Sequence, residues 1–75
     1  MIEPNDIKQW IEAELEGAKA NVTGDGHHFE ATVICAAFAE KSTLQQHRMV
    51  YAALGDKMES AIHALALKTR VKDAY

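Results

Sequence analysis

Between Ala18 and Cys35 the sequence alternates twice and turns once. Ala18, Ala20 and Val22 alternate with Lys19, Asn21 and Thr23, and Phe29, Ala31, Val33 and Cys35 alternate with His28, Glu30 and Thr32. A period of two places each set on one face, so both segments are half-buried strands. Gly24-Asp25-Gly26 between them tolerates positive φ, and the whole is expected to form a β-hairpin. An apolar sheet face has to be covered, which commits the rest of the chain to supplying the cover.

The flanking segments have the period to do so. Ile7, Trp10, Ile11 and Leu15 fall at helical spacing, Pro4 and Asn5-Asp6 suit the start, and Gly17 suits the end. Ser42 with Gln45 has the pattern of a capping box and opens a second helix, with Leu44, Val50, Tyr51 and Leu54 expected on one side. Gly55 fits its stop. Asp56 with Glu59 offers a second capping pair for a short helix that turns Met58, Ala61 and Ile62 inward. His63-Ala64-Leu65-Ala66-Leu67-Lys68-Thr69 is expected to be a strand from its length and position, although Ala and Leu favour helix. The order αββααβ describes a single α+β domain over residues 1–75, a three-stranded sheet with helices on one face. Residues 70–75 are expected to form a loosely ordered tail.

Size sets limits on function. A chain of 75 residues buries only about 60% of the surface of its unfolded form, which excludes a second domain and leaves little room for a substrate cavity. A lone Cys35 excludes an internal disulfide. No apolar run approaches the roughly 20 residues of a membrane span, and the acidic start lacks a secretory pattern, so a cytoplasmic, reducing location is expected, without membrane contact. The net charge of −3 is unevenly spread: residues 1–40 hold two Lys against eight acids, and residues 41–75 six bases against three acids.

Chemistry-bearing residues are few. His27 and His28 sit in the hairpin turn, His47 on the second helix and His63 at the start of the last strand. Histidine and cysteine are ligands for zinc, copper and iron–sulfur clusters, but no CxxC, HExxH or HxH spacing is present, and a self-contained metal site is not expected. Taken singly, each His has a plain structural alternative: a solvated loop residue for His27 and His28, a helix-packing residue for His47, and a ring satisfied by backbone for His63. By alternation His27 shares the face of Phe29 and His28 opposes it, although the turn could reorient either. Cys35 extends an apolar face as a buried thiol. No nucleophile elbow, catalytic triad order or phosphate loop appears, and Glu12, Glu14 and Glu16 are expected on a solvated helix face. No catalytic residues are assigned, and an enzyme is not expected.

Four segments nevertheless form a pattern: Gly24-Asp25-Gly26-His27-His28-Phe29-Glu30-Ala31, Phe38 with Lys41-Ser42, Leu44 to Leu54 through Gln46-His47-Arg48-Met49-Val50-Tyr51, and Ile62-His63-Ala64-Leu65-Ala66-Leu67-Lys68-Thr69. Together they closely resemble the BolA-like proteins, in register from the first helix to Thr69, with the Gly-Asp-Gly turn most similar to the short bacterial IbaG-type branch. Two departures stand out. Relatives often carry Gly in the loop where this chain has Phe38-Ala39-Glu40-Lys41, and the segment from Arg70 to Tyr75 lacks the family's usual proline-containing tail.

The resemblance implies a fold like class II KH domains and a role in iron–sulfur metabolism beside a cytosolic monothiol glutaredoxin. A [2Fe–2S] cluster would be shared: the partner brings its cysteine and a glutathione thiolate, and the BolA-like chain brings two ligands. One maps onto His63. The other maps onto His27 or His28, with His27 favoured because relatives with a loop Cys place it two residues before the strand aromatic, here Phe29. Half a ligand set is too little for a private site and enough for a shared one. Imidazole ligands must be deprotonated at the metal-binding nitrogen, so cluster assembly weakens as pH falls toward the ordinary imidazole pKa of about 6.5.

Two other readings stand beside this one. Some BolA-like proteins are described as DNA-binding transcriptional regulators of stress or morphology responses. Lys41, Arg48, Lys57, Lys68, Arg70 and Lys72 are the candidate phosphate contacts, against the plainer reading of solvated charge. The chain lacks the Gly-x-x-Gly clamp of true KH domains. An exposed edge strand could instead support a homodimer.

Overall fold

The computed structural model describes residues 2–62 and 64–72. Helix α1 (Pro4–Glu14) begins with Pro at its first position, where a fixed φ is suited and no N–H is needed. Its cap is Glu3, earlier than the expected Asn5-Asp6: the Glu3 N–H donates to Asp6 Oδ2 at 2.9 Å, so Asp6 acts from within the first turn. Ile7 and Ile11, one turn apart, are fully buried. The helix closes at Leu15, and Gly17 takes φ +80°, which turns the chain into the sheet.

Strands β1 (Lys19–Gly24) and β2 (His28–Cys35) form the expected antiparallel hairpin, with Lys19 opposite Ile34 and Gly24 opposite Phe29. Phe29, Ala31, Val33 and Cys35 are buried on one face, as their alternation predicts. A single 3₁₀ turn (Ala36–Phe38), absent from the sequence expectation, drops Phe38 into the core. In the following loop Glu40 adopts φ +63°, the left-handed region that favours glycine, at the place where the resemblance leads one to expect it. The backbone turn is kept without the residue that makes it easy.

Helix α2 (Thr43–Leu54) has the expected capping box: Ser42 Oγ accepts from Gln45 N, and Gln45 Oε1 accepts from Ser42 N. Its buried side differs from expectation. Gln46, Val50 and Leu54 point inward, while Leu44 is 60% and Tyr51 40% exposed. Successive residues turn by about 100°, so Leu44 lies far around the helix from Val50, and the i, i+4, i+8 set is the buried one, with Met49 packing partly beside it. His47 is half-buried beside that stripe.

Helix α3 (Lys57–Ser60) forms without the expected Asp56 side-chain cap. Asp56 sits at φ −70°, ψ −8°, inside helical space, whereas a capping side chain needs extended backbone. Its carbonyl instead accepts from Glu59 N, Ser60 N and Ser60 Oγ. Ile62 is buried, Met58 packs partly against the core, and Ala61 is half-buried.

Strand β3 (Ala64–Val71) then pairs parallel with β2, giving the order β1-β2-β3. Arg70 and Val71 belong to this strand, contrary to the loosely ordered tail expected from residue 70; residues 73–75 lie outside the described residues. The observed order matches αββααβ, with the helices on the Phe29 face of the sheet. Among the described residues no helix is long and apolar enough to cross a membrane.

Candidate functional site

The loop joining β1 to β2 is organised by one carboxylate. Asp25 Oδ1 accepts from the backbone N–H of His27 and of His28, each at 2.9 Å, and Asp25 N donates to the His28 carbonyl at 3.2 Å. This Asx-type turn is local: sequence separations of two and three residues suffice. The backbone N–H donors of His28 and then His27 hold the Asp25 carboxyl below its usual pKa. Gly26 takes φ +99°, which a side chain would oppose. Gly24 is required for space, because a Cβ there would lie 2.5 Å from Phe29 Cδ1 and 2.6 Å from the His28 carbonyl oxygen.

This geometry separates the two loop histidines. His27 lines an open depression of about 510 Å³ together with Ile2, Gly26, Ser60 and Ala61, between the loop and the end of α3. His28, at the first position of β2, alternates away from buried Phe29 and sits in register with Ala64 of β3. His63 lies outside the described residues. Its sequence neighbours are described: Ile62 is 3% exposed in the core, and Ala64 pairs with His28, so the loop and the entry to β3 share one end of the sheet.

Among the described residues no group of three or more His, Cys, Asp or Glu side chains is placed to hold a metal ion. Cys35 is buried at the opposite end of β2, its thiol 3.7 Å from the Glu16 carbonyl. Glu12 departs from the solvated face expected for it. It pairs with Lys8 and accepts from Ala20 N at 2.9 Å, fastening α1 to the free edge of β1, and those contacts lower its carboxyl pKa.

The six candidate phosphate-binding cations fall into separate places. Lys41 and Arg48 are exposed at the start and outer side of α2, and Lys57 Nζ lies over the Trp10 ring, 5.0 Å from its centroid. Lys68 and Arg70 project from β3 on the face away from the helices, and exposed Lys72 follows the strand. Register adds a residue that the sequence reading missed: Lys19 shares a row with Ile34 and Arg70. Its signal was its outward place in the β1 alternation.

Comparison with known proteins agrees with this architecture. The family model described as BolA-like protein matches residues 9–74. The chain is 39% identical to BolA-like protein 1 of Bos taurus over 54 residues, 72% of this chain and 40% of that one. It is 33% identical to the DNA-binding transcriptional regulator BolA of Escherichia coli (strain K12) over 61 residues, 80% of this chain and 58% of that one. It thus spans only about half the length of these curated relatives. Among solved structures, a BolA protein homologue from Coxiella burnetii superposes with a TM-score of 0.92 at 51% identity, covering 100% of this chain and 97% of that one. The BolA domain of SufE1 from Arabidopsis thaliana superposes with a TM-score of 0.76 at 26% identity, over 91% and 89% of the two chains.

Proposed function

The chain belongs to the BolA-like protein family, and from that premise we propose that it is a non-enzymatic cytoplasmic adaptor that shares a [2Fe–2S] cluster with a monothiol glutaredoxin, in iron–sulfur assembly, trafficking or iron sensing. The observation that carries this reading is the position of His27 on the depression between the Asp25-pinned loop and the end of α3. The depression is open to a partner, and the loop bordering it is held by hydrogen bonds to Asp25.

The donor chemistry fits. An imidazole is a nitrogen ligand for iron, and two of them cannot retain a cluster that takes four protein or thiol ligands. His63, one position before Ala64, is the second ligand in this proposal, with the partner's cysteine and glutathione thiolate completing the set. Replacing thiolates by neutral imidazoles removes negative charge around the irons, which raises the reduction potential of a bound cluster. The occurrence of a BolA domain within SufE1 of Arabidopsis thaliana supports reading this fold as a module that works joined to others.

Co-expression with a monothiol glutaredoxin and glutathione tests the proposal. A coloured heterocomplex is expected, with His63→Ala and His27→Ala each altering the visible circular dichroism and shortening the lifetime of the colour, and His28→Ala changing both less. Unchanged spectra in His63→Ala and His27→Ala would remove the ligand assignment.

A second reading is favoured by a separate observation. The relative in Escherichia coli is named a DNA-binding transcriptional regulator, and here two of the six candidate cations stand on the open face of the sheet. Nucleic-acid binding is therefore carried forward as the alternative function.

A further inference from the structure

The helices cover one face of the sheet, and the other is open. Register defines that open face row by row. Lys19, Ile34 and Arg70 form the first row, Asn21, Thr32 and Lys68 the second, and Thr23, Glu30 and Ala66 the third. Lys19, Asn21, Lys68 and Arg70 are exposed, with Thr32 and Ile34 half-buried between them. Three cations thus share two neighbouring rows with Asn and Thr as uncharged hydrogen-bonding groups, and Glu30 stands one row further off. Among the described residues the ion pair formed is Lys8–Glu12; Glu12 also attracts Lys19 at the edge of the face without closing on it, and no described carboxylate pairs with Lys68 or Arg70.

This concentration is unusual in a chain of net charge −3. The acidic residues lie mainly in the first half, on α1 and in the loop, while the cations of β1 and β3 are gathered by strand pairing. Adjacent strands lie about 4.8 Å apart, so Lys19 and Arg70 span about 10 Å of backbone across the three strands. We infer that the open face of the sheet, through Lys19, Lys68 and Arg70 with Asn21 and Thr32, is a docking surface for the phosphodiester backbone of a nucleic-acid duplex. The inference rests on the nucleic-acid reading above and assigns it a surface.

The choice of occupant follows from what the face holds. Long cationic side chains flanked by short amide and hydroxyl groups suit repeated phosphate oxygens. The three rows carry no aromatic side chain to stack on an unpaired base, so binding relies on backbone charge and reads little sequence. The α2 side offers Lys41 and Arg48 more sparsely, and Lys57 is occupied with Trp10.

Three phosphate contacts predict a slope of log affinity against log salt of about −2.7 on a duplex, which is an affinity loss of about 40-fold between 50 and 200 mM salt. The experiment is fluorescence anisotropy with a labelled 20-base-pair duplex of mixed sequence, titrated with the full chain at several salt concentrations. In the Lys19→Gln/Lys68→Gln/Arg70→Gln variant, affinity at 50 mM salt should fall at least tenfold and the salt slope should flatten toward zero. A Lys19→Arg/Lys68→Arg variant should retain both. All three positions are exposed, so circular dichroism and the melting curve should show the fold intact. If the wild type binds no duplex at 50 mM salt, the nucleic-acid reading falls and this inference with it. If the wild type binds but the loss appears in Lys41→Gln/Arg48→Gln and not in the sheet variant, the surface assignment alone is overturned. Displacement of the duplex by polyglutamate at equal charge concentration would overturn it in favour of an acidic protein partner.

Discussion

Asp25 in the hairpin loop and Gln46 on α2 each bind several groups, and they do so under opposite conditions. Asp25 is exposed and accepts from N–H groups two and three residues away. Gln46 is 9% exposed; its Nε2 donates to the carbonyls of Phe38 (3.2 Å) and Lys41 (3.0 Å), and its Oε1 accepts from Thr69 on β3 (2.6 Å). The first arranges a loop that water could also solvate. The second joins α2, the preceding loop and β3 at a buried to half-buried site, so its partners find little water in its place. A buried polar group left unpaired costs about 1–3 kcal/mol, whereas a solvated one exchanges its partner for water at little net cost. The fold therefore depends on Gln46, and the shape of the candidate site depends on Asp25.

The largest effect expected from this contrast is on Gln46→Ala, which should lower unfolding free energy by about 3 kcal/mol in urea titration, because the Phe38 and Lys41 carbonyls lose their donor. A loss under 1 kcal/mol would show that water reaches those carbonyls and would break the comparison.

Gly24→Ala comes next. Its Cβ would meet Phe29 Cδ1 at 2.5 Å and the His28 carbonyl at 2.6 Å, one of them backbone, so overpacking should cost about 2 kcal/mol. The same displacement should move the loop, and the amide resonances of 25–28 should shift more than those of α2. Equal shifts in both regions would mean that the loop and the core respond as one unit.

Asp25→Ala should have the smallest effect on the melting curve, with faster amide hydrogen exchange confined to His27 and His28. The sign of its pH dependence follows from the lowered carboxyl pKa. Its contribution is present above the ordinary Asp value of about 3.8 and is lost as pH falls through the lower folded-state value. Loop protection in the wild type should therefore persist from neutral pH to below that ordinary value and then approach that of the variant. Protection already lost near pH 5 would remove Asp25 as its cause.

The same contrast explains what could be read in advance. The hairpin was legible because alternation and the Gly-Asp-Gly turn are local properties, and the capping box at Ser42 is equally local. The buried side of α2 was not, because apolarity alone drew Leu44 and Tyr51 inward. The signal that existed was spacing: Gln46, Val50 and Leu54 recur every four residues, with a polar residue heading an apolar stripe. Recognising Gln46 as buried required knowing that the Phe38 and Lys41 carbonyls and the Thr69 hydroxyl converge on it. The Asp56 cap failed for a related reason: the residue pattern was right, but the tight passage from Gly55 into α3 put Asp56 in helical space.

For the candidate site the division is similar. His27 and His28 are legible from the turn, and the outward place of His28 at the start of β2 follows from alternation. That His27 faces the end of α3 is a tertiary fact, since Ser60 and Ala61 are more than thirty positions away. Lys19 was missed because its companions Lys68 and Arg70 are brought to it only by strand register.

By itself the sequence determined the element order, the buried face of the hairpin and the loop that carries two histidines, because period, turn chemistry and capping act over a few residues. Tertiary structure decided which polar side chain the core would enclose, which histidine would border the depression and which cations would share a surface. Those outcomes depend on groups far apart in the chain meeting where water is excluded or where strands align, and no local pattern encodes that distance.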